Sequence, residues 1–173
     1  MDVFACVRSR RTVRSFRPDP VPDAVTDRIL QAARWAPSSR DEQPWHLIVV
    51  KDRETLKKIG AIATTGRFIA DAPMAVAIAM KDAGSPELDA GRALQQMELV
   101  AWSEGLGTCL VGLRQGTQNE DVKELLGIPG EMELITVLPF GYRLDDFKGG
   151  GSRRKPLSEI AYSERFGNRY VAA

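Results

Sequence analysis

Apolar residues recur at helical and strand spacings along the chain, and the two spacings alternate. Residues 2–9 read as a short helix. Pro22 suits a helical first turn and Asp23 favours that end electrostatically. Val25, Ile29, Ala32, Ala33 and Ala36 then repeat at helical spacing until Pro37-Ser38-Ser39 stops them. Trp45 to Val50 is apolar and β-branched at its end, as a strand requires. Arg53 to Ile59 predicts a short helix closed by Gly60. Met74 to Met80 is a continuous apolar run, the pattern of a strand covered on both faces. A long helix follows over about 88–104, with a stripe of Ala90, Ala93, Leu94, Met97, Val100 and Ala101. Thr108 to Leu113 predicts a third strand, 121–126 a helix capped by Gly127, and Met132 to Phe140 a fourth strand interrupted at Pro139. A last helix is expected over about 158–166. Helices outnumber strands and separate them, which predicts an α+β fold, a small sheet covered by helices.

The chain has 173 residues, a single-domain size with room for one sizeable core, and is read as one domain over 1–173. Hydrophobic residues make up 43% and charged residues 27%, which excludes a disordered or collagen-like chain. No apolar run approaches the roughly 20 residues of a membrane helix, and the N-terminus lacks a signal-peptide layout, so a cytoplasmic protein is expected. Cys6 and Cys109 form no metal-ligand spacing and read as reduced, buried thiols. His46 is the one histidine, so a histidine-based metal site is excluded, and no serine sits in a nucleophile elbow.

The net charge of +1 calls for no polyanionic partner, but its distribution is uneven. Residues 8–17 carry five arginines: Arg8, Arg10, Arg11, Arg14 and Arg17. A second basic knot, Arg153-Arg154-Lys155, follows Gly149-Gly150-Gly151-Ser152. Two separated clusters on a neutral chain suggest local anion sites.

Four stretches could carry chemistry. Arg10-Arg11-Thr12-Val13-Arg14 offers guanidinium forks that match phosphate oxygens, with a hydroxyl between them. Taken alone, it is equally compatible with a solvated basic face. Pro37-Ser38-Ser39-Arg40-Asp41-Glu42-Gln43-Pro44-Trp45 leaves a helix and enters a strand, a loop that can approach a flat ligand or simply turn. Gly105-Leu106-Gly107-Thr108-Cys109-Leu110-Val111-Gly112 lets backbone pack closely and exposes it at Gly112. It follows a helix rather than a strand, so it is not a dinucleotide fingerprint. Arg153-Arg154-Lys155-Pro156-Leu157 is the fourth, a basic tail or a second anion contact.

In their order and spacing these stretches resemble the nitroreductase family of FMN-dependent oxidoreductases over nearly the whole chain. Arg-Arg-Thr-Val-Arg-Ser-Phe is similar to the family's Arg-Arg-Ser-x-Arg-x-Phe. Ala-Pro-Ser-Ser-x-Asp-x-Gln-Pro-Trp is similar to its Ala-Pro-Ser-x-x-Asn-x-Gln-Pro-Trp. Asp71-Ala72-Pro73, Gly-Leu-Gly-Thr-Cys and Arg-Lys-Pro-Leu complete the match.

The resemblance implies a central, mostly antiparallel sheet of four to five strands flanked by helices, in a domain-swapped type of homodimer with FMN at the subunit interface. It implies that Arg10, Thr12 and Arg154 hold the FMN phosphate with Arg153 assisting, and that Arg11 lies beside the ribityl chain or phosphate. Arg14 is placed near the N1/C2 edge of the ring. Pro37, Ser38, Ser39 and Asp41 come from the partner subunit, and Leu110, Val111 and Gly112 line the ring near N5 through backbone. The implied activity is ping-pong transfer of hydride from NADH or NADPH through FMN to a nitroaromatic or quinone. A flavin-, phosphate- or RNA-binding module without turnover is the alternative; RNA binding would call for aromatics interleaved with the arginines, where only Phe16 stands.

The chain departs from the pattern at three places. Thr12 replaces the usual Ser and keeps its hydroxyl. Asp41 replaces the usual Asn and, ionised, can only accept hydrogen bonds. The link Lys81–Glu87 is short where larger relatives insert helices over the flavin, which predicts an open site and argues against the dehalogenating relatives that close a lid.

Overall fold

The computed structural model describes residues 2–148 and 153–170. The Gly149–Ser152 stretch and the last three residues of the expected tail lie outside them. The described elements are α1 (Val3–Ser9), α2 (Asp23–Arg34), β1 (Trp45–Val50), α3 (Arg53–Ile62), β2 (Met74–Met80), α4 (Pro86–Ser103), β3 (Leu106–Thr108), α5 (Gln118–Leu126), β4 (Glu133–Tyr142) and α6 (Leu157–Ile160). Two 3-10 turns, Ser39–Asp41 and Arg67–Asp71, precede β1 and β2. The four strands form one antiparallel sheet in the order β1-β2-β4-β3, and helices flank it. The expected α+β class and antiparallel sheet are what the chain adopts.

β2 shows why. All seven of its residues are buried. Met74, Val76, Ile78 and Met80 enter one core with Ile29 and Ala33 of α2 and Ala93 and Met97 of α4. Ala75, Ala77 and Ala79 point the other way, into a core with Leu56 and Ile59 of α3 and Val122 of α5. Side chains alternate across a strand, so large residues meet α2 and α4 while alanines admit the other helices closely. Each fully buried side chain of that size contributes roughly 1.5–3 kcal/mol.

Four boundaries differ from the sequence expectation. α3 does not stop at Gly60 but continues to Ile62. A Cβ on Gly60 would lie 2.9 Å from Cβ of Ala70, so this glycine serves helix packing against the 3-10 turn. α5 starts at Gln118, three residues before the expected Asp121. The expected helix over 158–166 is a single turn, Leu157–Ile160, whose residues are all exposed. A helix this short gains its stability from packing, and the described residues bury none of its side chains.

The fourth difference shapes the site. β4 runs through Pro139 to Tyr142, whereas β3 covers only Leu106–Thr108, ending five residues before the expected Leu113. Thr108 lies opposite Phe140, and Val111 makes a lone bridge to Val137. In that register Pro139 faces Cys109. Proline has no N–H to give a ladder, and the ladder lapses at Cys109-Leu110 before resuming at Val111. Leu110 is left 53% exposed next to buried Cys109 and Val111.

Candidate functional site

Three segments converge on the gap in β3. The first leaves α1. Arg11 folds back so that its Nη1 donates to the carbonyls of Arg8, Ser9 and Arg10, at 2.9, 3.0 and 2.9 Å, closing the C-terminus of that helix. The next residues lie alongside β3. Thr12 bridges Thr108 in parallel, and the Val13 N–H donates to the Thr108 carbonyl at 3.0 Å. This close approach requires Gly107, because a Cβ there would lie 2.4 Å from the Val13 side chain. Phe16 then bridges Arg143, and its ring packs on Gly141. The arginine stretch is thus held as an added strand. Thr12 and Arg14 are exposed on it, and Arg10 is half-buried.

The second segment is Cys109–Gly112 itself. The buried Thr136 hydroxyl donates to the Val111 carbonyl at 2.8 Å, which fixes the strand beyond the gap. A Cβ on Gly112 would meet nothing within 4 Å, so this backbone is open. The third segment is Thr65–Phe68. Gly66 packs directly on Val111, the Thr65 hydroxyl donates to the Gly112 carbonyl at 3.5 Å, and the Arg14 guanidinium lies 6.0 Å from the centre of the Phe68 ring.

Burial pushes the Cys109 thiol up, with Glu98 acting in the same direction, while contact with Arg14 and the charge of Arg10 pull it down. Burial wins, so Cys109 is a thiol and no thiolate nucleophile. Glu98 of α4 lies with Oε2 3.7 Å from Arg10 Nε, and burial raises its pKa against the lowering effect of Arg10. Arg143 stacks 4.0 Å from the Trp102 ring centre and donates to the Leu106 carbonyl at 2.9 Å, bracing β3 from behind.

The loop at 36–45 is built separately. Arg40, Asp41 and Gln43 have φ of 52°, 58° and 47°, left-handed values uncommon for residues with a Cβ. Such strain persists where the surroundings over-determine it, and here they do. The Ser39 N–H donates at 3.0 Å to Asp89, a fully buried carboxylate paired with Arg92 at 3.1 Å. The Gln43 N–H donates to the Ser38 hydroxyl, the Gln43 side chain to Asp41, and the Gly84 N–H to Glu42. Pro37, Ser38, Ser39 and Asp41 are therefore a rigid group at the start of α4. Among the described residues no hydrogen bond or ion pair joins this group to Arg10, Thr12, Arg14 or Leu110–Gly112. Arg153 and Arg154 are exposed, and among the described residues neither makes a hydrogen bond or ion pair.

Of the residues singled out in the sequence, then, Arg10, Thr12, Arg14, Leu110, Val111 and Gly112 share one place. Pro37, Ser38, Ser39 and Asp41 share another, and Arg11 closes a helix. Sequence reasoning missed Thr65, Gly66, Phe68, Glu98 and Asp89. The signals for three of these were present: a glycine ending Ala63-Thr64-Thr65-Gly66, and acids at 89 and 98 beside the apolar stripe of α4.

The shared place can accept a ligand of definite character. The guanidiniums of Arg10 and Arg14 and the Thr12 hydroxyl suit an anion, each charge-assisted bond being worth about 1.5–3 kcal/mol. Open backbone at Leu110–Gly112, with Phe68 nearby, suits a flat ring. The buried Thr108 hydroxyl beneath the arginine strand has no hydrogen-bond partner among the described residues. Among the described residues no cluster of His, Cys, Asp or Glu could hold a metal ion. This donor set fits a phosphorylated planar cofactor such as FMN.

An α+β chain with a cationic strand laid beside an interrupted sheet edge defines the class, and comparison with known proteins identifies the family. The model of the nitroreductase family matches residues 7–83 and 63–142. A Methanothermobacter thermautotrophicus protein provisionally named NADH dehydrogenase/NAD(P)H nitroreductase is 36% identical over 148 residues, 82% of this chain and 78% of its own length. The FMN reductase [NAD(P)H] of Bacillus subtilis is 28% identical, over 97% of this chain and 76% of its own. The structure of an FMN-dependent nitroreductase from Clostridium difficile superposes with a TM-score of 0.83 at 26% identity, covering 94% of this chain and 99% of that one. The chain belongs to the nitroreductase family.

Proposed function

We propose that this protein is an FMN-dependent NAD(P)H oxidoreductase in which Arg10 and Thr12 hold the FMN phosphate and the ring lies along Leu110–Gly112. The observation that carries this reading is the pairing of the Arg10–Arg14 strand with β3 beside the gap at Cys109-Leu110. Bound FMN supplies a two-electron hydride carrier, so no protein nucleophile is called for. The chain's residues bind and orient. Arg10 and Thr12 meet the phosphate, with Arg153 and Arg154 added where the C-terminal segment reaches the site, and Arg11 keeps the arginine strand in place. Arg14 would lie near the N1/C2 edge of bound FMN, where its charge would stabilise negative charge. NAD(P)H and a nitroaromatic or quinone acceptor use the open side of Gly112 in turn, a ping-pong sequence. No helix of the described chain is long and apolar enough to cross a membrane.

The active unit is a homodimer, with chain 1–173 as a single flavin-binding unit. In it the rigid Pro37–Asp41 group of one protomer completes the site of its partner. The C-terminal segment supports this reading. Leu157, Ile160 and Phe166 are exposed, Phe166 by 90%. Val3, Phe4 and Val7 of α1 are exposed as well. A partner chain packed on these segments would cover these exposed apolar side chains. Light scattering is expected to give the mass of two chains, and a stable monomer that retains FMN contradicts the shared site.

The test of function is the visible spectrum of the purified protein, followed by anaerobic addition of NADH or NADPH. Two flavin bands that bleach with a nicotinamide, and return on addition of a quinone or nitroaromatic, are expected. A colourless protein that takes up no added FMN overturns the reading.

A further inference from the structure

Glu98 is a part-buried acid on α4 with no part in the scheme above. Its side chain is 14% exposed, and among the described residues its ion-pair partner is Arg10, approached through Nε at 3.7 Å. Arg10 makes no other ion pair or side-chain hydrogen bond among the described residues, so both of its Nη groups remain available. Charges at either side of Glu98 are engaged elsewhere, Arg92 of α4 with Asp89, and Glu104, just past the end of α4, with Arg28. The titratable and charged groups that interact with it are Arg10 of the arginine strand and Cys109 after β3, and Arg14 in turn contacts Cys109.

We infer that Glu98 is a positioning residue, which holds the inner edge of the Arg10 guanidinium so that its two outer nitrogens meet the phosphate of the bound cofactor. The inference rests on the reading of Arg10 as a phosphate ligand. An unanchored arginine loses its rotamer freedom when it binds, and that loss opposes binding. An anchor at Nε removes part of that cost beforehand, which is preorganisation. A neutral hydrogen-bonding residue would tether the arginine less firmly.

The anchor has a cost of its own. Burial raises the Glu98 pKa above the ordinary carboxylate value. A group raised on folding contributes stability that is present at low pH and lost as pH rises through the folded value. When ionised, Glu98 therefore burdens the fold while serving Arg10. A residue kept only for structure would show the opposite sign.

The experiment is a titration of the full-length apoprotein with FMN and with riboflavin, which lacks the phosphate, followed by quenching of flavin fluorescence over a range of pH. Glu98→Gln is expected to weaken FMN about five- to tenfold and riboflavin hardly at all, the loss of part of one side chain's preorganisation. The thermal midpoint of the Glu98→Gln apoprotein at neutral pH is expected to equal or exceed that of the unaltered chain. FMN binding to the unaltered chain weakens more steeply on acidification than binding to the Gln variant; ionisation of the FMN phosphate itself is common to both. Arg10→Gln leaves Glu98 in place, and is expected to weaken FMN selectively and to flatten the acid dependence in the same way, whether or not the Glu98 variant folds.

If Arg10→Gln leaves FMN affinity unchanged, the reading of Arg10 fails. If Arg10→Gln weakens FMN while Glu98→Gln does not, the reading stands and the inference about Glu98 is overturned. Equal losses for FMN and riboflavin in Glu98→Gln, or an acid dependence that Arg10→Gln leaves intact, overturn it too.

Discussion

Replacing Gly107 by alanine is expected to destabilise the protein by ~2–3 kcal/mol, the usual cost of forcing a methyl into a packed site. The added carbon would lie 2.4, 2.5 and 2.7 Å from three carbons of Val13. Val13 is 1% exposed and is tied to Thr108 through its N–H, so it cannot simply swing away. Relief comes only by moving the arginine strand off β3, and flavin affinity is expected to fall with stability. Gly112→Ala makes the same chemical change where the new carbon would meet nothing within 4 Å. Its stability is expected to stay within ~0.5 kcal/mol of the unaltered chain, as for an ordinary surface change. Urea unfolding of both variants checks the pair. Equal midpoints for Gly107→Ala and the unaltered protein would mean that the arginine strand does not lie where described.

Arg14→Gln is expected to lower the two-electron midpoint potential of the bound flavin by ~30–60 mV, with a corresponding slowing of reduction by NAD(P)H. A charge-assisted contact is worth about 1.5–3 kcal/mol, and for a two-electron couple 1.4 kcal/mol corresponds to about 30 mV. Two-electron reduction adds negative charge at the pyrimidine edge, and a neighbouring cation favours that charge. Arg14 is held toward the site between Cys109 and the Phe68 ring. Arg14→Lys keeps the charge and is expected to retain most of the potential. A spectroelectrochemical titration decides; an unchanged potential in Arg14→Gln removes Arg14 from the ring edge.

Much of this architecture was legible in residue patterns. Met74–Met80 announced a strand covered on both faces, because seven consecutive apolar residues leave no face for water. The stripes of α2 and α4 named the helical residues that cover it: Ile29, Ala33, Ala93 and Met97 are all buried. The limits of β3 were not legible. They depend on a residue about thirty positions away, since Pro139 becomes relevant only when β4 lies beside Cys109. Gly60 misled for a similar reason: its role is set by Ala70, not by the helix it stands in.

The candidate site divides along the same line. By itself the sequence determined which chemistry was available: clustered guanidiniums around a hydroxyl and a glycine-rich approach to exposed backbone. These are properties of residue types and short spacings, and local chemistry carries them. Only the tertiary structure decided which of those groups meet. It brought Arg10, Thr12 and Arg14 to Leu110–Gly112, turned Arg11 back onto its helix, locked the Ser38–Ser39 loop on buried Asp89, and set Glu98 behind Arg10. Each of those outcomes depends on contacts between segments tens of residues apart. Such contacts form only when the sheet and its helices close around a common core, and no local pattern encodes them.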